Sequence, residues 1–598
     1  MSSSTPTPVT ELPGFGLPVN AMPQDTYEMF NPKSKDLKHG RLCFPNPITT
    51  WAAPNITIGE KNMLAVMNEI TDKPEWEVKV FDDAIVSKWK EEALSRESMD
   101  FSEKMFDYCM QELRDKTTRF SKTGRVLVLN SEACIVKSDW AIPTSLADEL
   151  KTSVKSLEDV PSHMKDWHPG SDGKVLDLVH PSLYPLIYGR SRVLSSGSIP
   201  LKACLETCGD DRSVILPKPD RQYLTLGARS DEMFNGVSRA PPGMPRNISI
   251  LHLTGADREP TLDYWSDSYQ WLPCEVAFGD DDQVRITSYI NNLHPEHHRN
   301  LYSVLEKCIA RTIPLWNDCL SYFNDTGALY PRNSRLRITV KSLDWEYPLG
   351  MDRPRDEDND DSEDGDFDED ARYEKDQRWL KANRFLIKPE PKDFMPIDPI
   401  VTRVDLRKDW AKEGIQVIVK LANIELSPEK SEYEGGAWHE NVTESRLAFR
   451  QLTQRDDLES VSYPQNDHDG FRELFGVVEH GPCVQTLGSV LTREGRIVAF
   501  PNVLQHRVQP FRLADPTKKG YRKILALFLV DPYIRTLSTA NVPPQQRDWW
   551  PGDKIADDWL MSLEEAKRVR EDLMDQRKAF VDKVNTDYEK EGFSFCEH

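Results

Sequence analysis

The chain is 598 residues long and carries 98 acidic against 76 basic side chains, a formal net charge of −22. That balance argues against a general nucleic-acid binder, which needs a basic face to displace counterions, and against adhesion to an anionic membrane. Length alone gives a soft prior of about four domains, while 42 prolines and 29% charged residues describe a globular chain with many Pro-punctuated loops.

The N-terminal stretch from Met1 to Met22 is rich in Ser, Thr and Pro and lacks the basic region and apolar core of a secretory signal. No run approaches the roughly 18 apolar residues of a membrane span. The ten cysteines are scattered, with only Cys204 and Cys208 close together and no Cys-x-x-Cys. They read as reduced thiols of an intracellular protein, cytoplasmic or nuclear.

Residues 1–60 read as loop. Over 62–121 Phe101, Met105, Cys109 and Leu113 recur at four-residue spacing, an apolar helical stripe. RVLVLN (125–130) is a short strand candidate, and 145–160 a second amphipathic helix. From 161 to 290 Pro, Gly and Asp abound, as in long loops wrapped on a core. Leu301, Val304, Leu305, Cys308, Ile309 and Ile313 define another helical face, and RLRITVKS (335–342) a strand candidate. Residues 356–370 carry eleven carboxylates, whose repulsion predicts a solvated loop. IQVIVKLANIEL (415–426), VQTLGSVL (484–491), GRIVAF (495–500) and KILALFLVDP (523–532) then follow as β-branched or apolar runs between turns, the pattern of a sandwich or jelly roll. Ser562 and Glu565 form a capping box ahead of Ala566, Val569, Leu573 and Phe580 on one helical face. The resulting division is 1–90 loop plus helix, 91–345 helical and loop-rich, 346–380 acidic disordered loop, 381–555 β core and 556–598 terminal helix.

The β-rich region holds the candidate chemistry. GGAWH (435–439) puts His439 after a Gly-Gly turn, His506 closes a strand in AFPNVLQHRVQPF (499–511), and sixteen residues later Arg522 opens GYRKILALFLV (520–530). Non-haem Fe(II) oxygenases need two His and one carboxylate on one face, leaving open positions. Where 2-oxoglutarate is the co-substrate, its distal carboxylate needs a cation, best a bidentate Arg. His439, His506 and Arg522 stand in the right order for this, although a His at a strand end is more often structural and an Arg more often a surface pair.

Long blocks extend the pattern: LPGFGLP (12–18), MLAVMNEITDKPEWEVKVFD (63–82), KDWHPGSDGKVLDLVHPSLYPLIYGRSRVL (165–194), VIVKLANIEL (417–426), ESRLAFRQ (444–451) and KILALFLVDPYIRTLSTANVPPQQRDWW (523–550). Together they resemble the fungal family catalogued as domain of unknown function 4246, over roughly residues 12–555. The resemblance implies an α+β fold with a double-stranded β-helix (jelly-roll) core in the C-terminal half, buttressed by a helical N-terminal region. It also implies a 2-oxoglutarate/Fe(II) oxygenase of unassigned substrate, small molecule or protein, with His506 as a metal ligand and Arg522 as the 2-oxoglutarate anchor.

The sequence departs from that family at one place. The family pattern continues after Trp-His with one residue, a Glu and a further stretch before an Asn-(Val/Ile)-Thr block. Here His439 is followed directly by Glu440, Asn441, Val442 and Thr443. About twenty residues are absent, enough for about two strands. Glu440 is the substitute ligand at hand, but neighbours on a strand point to opposite faces, so it reaches a shared metal with His439 only through a bulge or turn. Either the chain is catalytically dead or a coding segment was skipped. His294 and Glu296, a literal His-x-Glu in NLHPEHH, read as a helix-cap loop, and His180 as a packed or hydrogen-bonded histidine. Two other function classes compete: a non-catalytic scaffold or binding protein on the same barrel, and a cupin-like zinc or manganese hydrolase or isomerase, which would leave Arg522 without a reason.

Overall fold

The computed structural model describes residues 53–96, 99–194, 197–207, 213–218, 266–326, 335–347, 369–396, 404–435, 446–453, 461–463, 467–532, 535–550, 559–590 and 592–593. His439 and Glu440 lie outside these residues, as does most of the acidic stretch.

Seven principal helices are α1 (Ile58–Ile70), α2 (Asp83–Leu94), α3 (Glu103–Thr123), α4 (Thr144–Glu158), α5 (Arg299–Thr326), α6 (Glu369–Asn383) and α7 (Leu563–Lys590). Several of them start on side-chain caps. Thr57 Oγ1 accepts the Glu60 N–H ahead of α1, Ser102 Oγ accepts the Met105 N–H ahead of α3, and Ser562 Oγ accepts the Glu565 N–H ahead of α7, the capping contact expected there. The stripe Met105, Cys109 and Leu113 is buried on α3, and Leu301, Val304, Leu305, Cys308, Ile309 and Ile313 are buried on α5. The end of the segment expected to be disordered is helical from Glu369.

The strands that position the site are β1 (Val126–Val128), β2 (Ile135–Ser138), β3 (Val175–Val179), β4 (Cys274–Phe278), β5 (Val284–Ile286), β6 (Ile415–Leu426), β7 (Glu432–Tyr433), β8 (Arg446–Leu452), β9 (Val484–Leu491), β10 (Ile497–Ala499), β11 (Leu504–Val508), β12 (Phe511–Arg512) and β13 (Gly520–Leu529). All these pairings are antiparallel. The main sheet runs β13-β6-β4-β5, with β3 on the β4 side of β6. A second sheet runs β9-β8-β11, a third β1-β2-β10, and β7 pairs with β12. The architecture is mixed, helices with antiparallel sheets, one of which curls into a half-barrel.

β6 alternates cleanly. Val417, Val419 and Leu421 face a core shared with α5, against which Leu525, Leu527 and Leu529 of β13 also pack. The other face, here called the inner face, carries Ile418, Lys420, Ala422 and Ile424, with Phe528, Ala526, Ile524 and Arg522 opposite them on β13. Ala422 also pairs with Asp177 on β3, just before a register shift, so Asp177 joins this face.

Two expectations change. The stretch 161–290 is more than loop, because it supplies β3, β4 and β5 to the main sheet; that sheet therefore draws on both sides of the 345/381 boundary. Nor is 335–342 a strand, apart from one bridge at Ser342. The Arg337 and Ile338 N–H groups donate to Glu60 Oε2 at 2.9 and 3.0 Å, so side-chain acceptors take the donors a ladder would have used.

Candidate functional site

Arg522 and His506 sit on strands as expected, on β13 and β11. Arg522 opens on the inner face, where its guanidinium lies 5.5 Å from the centroid of the Phe511 ring, and Phe511 in turn packs at 5.2 Å on Tyr433. The Tyr433–Phe511 pair is the β7–β12 ribbon, which gives Arg522 an aromatic wall. Arg522 Nη1 is buried with no hydrogen-bond partner among the described residues. Desolvation pushes the guanidinium down to about 10, with only the Tyr433 hydroxyl opposing that shift. A half-buried guanidinium with one buried, idle nitrogen is costly unless something anionic meets it.

His506 faces Phe449 across the β8–β11 ladder and packs 4.7 Å from Phe500. His506 is exposed, yet desolvation lowers its pKa below the ordinary histidine value. The imidazole is therefore neutral at pH 7, the form that ligates metals. β11 runs into β12, so His506 and the Phe511 that Arg522 covers belong to one stretch of chain. Gly435, with φ +77°, ends the described part of the GGAWH loop against this same stretch; a Cβ there would stand 2.8 Å from the Val508 carbonyl oxygen. Only glycine brings the loop so close.

The other histidines resolve differently. His294 Nδ1 accepts the N–H groups of Glu296 and His297 at 3.3 Å, the helix-cap role expected of it, just before α5. His180 is buried, and its Nδ1 accepts the Ser182 N–H at 3.2 Å. It also belongs to a group the sequence reading did not assemble: one donor atom each from His168, Asp177 and His180 lie within 4.8 Å of one another. His168 Nδ1 meets Asp177 Oδ2 at 2.8 Å, while Asp177 Oδ1 is buried without a partner. Spacings of nine and three residues along loop and strand carry no periodic signal; the antiparallel pairing of residues 166–168 with 175–177 sets His168 beside Asp177, and His180 follows β3 directly.

Two His and one carboxylate is a donor set that suits Fe(II), but the surroundings do not suit a cation. The Ser182 amide fixes Nδ1 of His180 as acceptor, so the neutral ring carries its proton on Nε2 and has no second lone pair to offer. Burial, then Lys420, His168, Arg570 and Arg577, push His180 down to about 2. Arg570 Nη1 stands 3.5 Å from Asp177 Oδ2 and grips Asp166 at 2.6 and 3.1 Å. A divalent ion would enter against three neighbouring cations.

The seven described cysteines are buried, and none of them forms a disulfide. No helix among the described residues is long and apolar enough to cross a membrane.

Residues 103–553 match the family described as Protein of unknown function (DUF4246), and residues 12–92 match Domain of unknown function DUF4246, N-terminal. No curated protein and no solved structure matches the chain. The family match runs through β1 to β13 and includes Arg522, His506 and the His168–Asp177–His180 group, so the chain belongs to the DUF4246 family.

Proposed function

We propose that this protein carries an Fe(II)/2-oxoglutarate oxygenase site on a double-stranded β-helix core, with its metal-ligand set truncated after His439. The observation that carries the reading is the Arg522 guanidinium, half-buried against Phe511 and Tyr433 with its Nη1 buried and without a hydrogen-bond partner among the described residues. That group fits the distal carboxylate of 2-oxoglutarate through paired N–H donors, and the aromatic wall excludes competing water. His506 fits as a neutral imidazole ligand, with His439 and Glu440 as the remaining candidates. When bound, iron and 2-oxoglutarate supply the oxidising chemistry; this chain's residues hold the co-substrate and orient it.

The competing reading, a non-catalytic binding protein on the same core, is favoured by the open edge of β13. Among the described residues no strand pairs beyond β13, where a complete barrel would, and the expected absence of about twenty residues after His439 would account for such a gap. Calorimetric titration of the chain with 2-oxoglutarate tests the anchor. Arg522→Gln is expected to weaken binding roughly 10- to 100-fold, the worth of charge-assisted hydrogen bonds, and equal binding by both proteins refutes it. Turnover of 2-oxoglutarate after insertion of a family segment behind His439 separates the two readings: turnover supports the oxygenase, and binding without turnover supports the scaffold.

A further inference from the structure

The inner face of the main sheet holds a second cationic group, away from Arg522. Lys420 on β6 lies two residues from Ala422, the partner of Asp177. From α7, Arg577 reaches over this face and lies 3.4 Å from the Trp271 ring centroid. Trp271 is held in turn: its Nε1–H donates to Ser182 Oγ at 2.9 Å, and its ring packs 5.9 Å from Phe528. Ser182 also donates its backbone N–H to His180. One connected chain of contacts therefore fixes Arg577, Trp271, Ser182 and His180 relative to each other.

The charges here do not cancel. Arg570 and Lys567 both engage Asp166. Asp177 is matched with His168 and faces Lys420 and Arg570. Arg577 makes no salt bridge among the described residues, and desolvation alone pushes it down to about 10. Lys420 is lowered by burial, partly offset by Asp177. His180 adds an Nε2–H that stays neutral at any working pH. The group thus presents two cations and a neutral donor, and the side chain of Asp177, only 1% exposed, adds an acceptor oxygen with no partner. In a chain of net charge −22, this local surplus of positive charge, with Lys420 half-buried and Arg577 at the solvent edge of the face, attracts an anion.

We propose that Lys420, Arg577 and the Nε2–H of His180 bind a carboxylate or phosphate group of a small substrate, with Asp177 Oδ1 taking a hydroxyl or ammonium donor next to it. The proposal does not depend on the oxygenase reading: it stands on β3, β6 and α7, and Arg522 lies two strands from β3. Its ligand class is a small anion with an adjacent hydrogen-bond donor, such as a hydroxy acid or a phosphorylated alcohol.

The test uses the full chain, titrated calorimetrically with inorganic phosphate, acetate and lactate. Saturable binding of phosphate, or of lactate more tightly than acetate, is expected; which of the two binds identifies the anion. Arg577→Gln on the exposed side of α7, and Lys420→Met with its stem retained, should each weaken that binding roughly tenfold or more. Lys578→Gln, its neighbour on α7, and Arg522→Gln should leave it unchanged. Absence of saturable binding by all three probes overturns the proposal, as does binding that survives both substitutions or is lost in Arg522→Gln. Zinc binding that is lost in His180→Gln and untouched in Arg577→Gln would overturn it in favour of a metal.

Discussion

Arg337 and Arg522 are both arginines beside apolar β-like text, and they differ in what surrounds them. Arg337 is saturated: Glu112 takes its Nε and Nη2 at 2.7 and 2.6 Å, and Glu60 takes Nη1 at 2.7 Å. Lys116 completes the group at 2.9 Å from Glu112. This is a structural lock between α1, α3 and the 335–342 segment. Removing one partner strands buried charges, so Arg337→Met is expected to cost about 3–5 kcal/mol, read from denaturant unfolding. pH dependence separates the two carboxylates. Burial opposes ionisation of Glu112, but Arg337 and Lys116 outweigh it and hold its carboxyl below the ordinary glutamate value of 4.5. A depressed folded pKa gives stability that is present above 4.5 and lost as pH falls toward the folded value. Burial instead raises Glu60, whose ionisation therefore costs stability above 4.5 and ceases to cost it on acidification. Glu112→Gln should flatten the acid limb of unfolding below about pH 5; an unchanged limb would assign acid sensitivity elsewhere. From sequence, Arg337 read only as part of a strand, since its role depends on residues 277 and 225 positions away. Arg522 was readable as a candidate because a site arginine has a spacing from its histidine.

At the scale of elements, long periodic runs read well and short or side-chain-satisfied segments did not. IQVIVKLANIEL and VQTLGSVL became β6 and β9 with the same limits, because twelve and eight residues of apolar text leave few alternatives. β7 and β12 are two residues each and exist only through their mutual pairing. Helix ends carry their own chemistry. Gly124 closes α3 at φ +62°, where its N–H returns to the Phe120 carbonyl, and a Cβ would meet the Trp140 ring at 2.5 Å. Gly124→Ala combines left-handed strain with that clash and should lower stability by at least about 1 kcal/mol, seen as a fall in thermal midpoint. No change would mean that Trp140, itself largely exposed, simply swings away.

For the whole molecule, the decisive feature is how the N-terminal half and α7 complete the C-terminal sheet. β3 and β4 pair along one edge of β6, and α7 brings Arg570 and Arg577 over its inner face, so neither half is a self-contained barrel. The other edge, β13, is ten residues long with no strand paired beyond it among the described residues, and Tyr521 and Phe528 on it are exposed. Such an edge invites association with other chains. Inserting the family segment of about twenty residues behind His439 should cover it, raising the thermal midpoint and suppressing concentration-dependent association in sedimentation; an inserted chain that associates as before would place the segment elsewhere. The sequence by itself determined the long helices and strands, the capping at Ser562 and the order His439–His506–Arg522, because periodicity, caps and motif spacing are local or linear properties of the chain. Only the tertiary structure decided that Arg337 is saturated while Arg522 Nη1 is without a partner among the described residues, that β3 belongs to the sheet of β6, and that Lys420 and Arg577 come near enough to His180 to act on its charge. Partners hundreds of residues apart leave no trace in local text, and charge balance in a concavity depends on which faces meet.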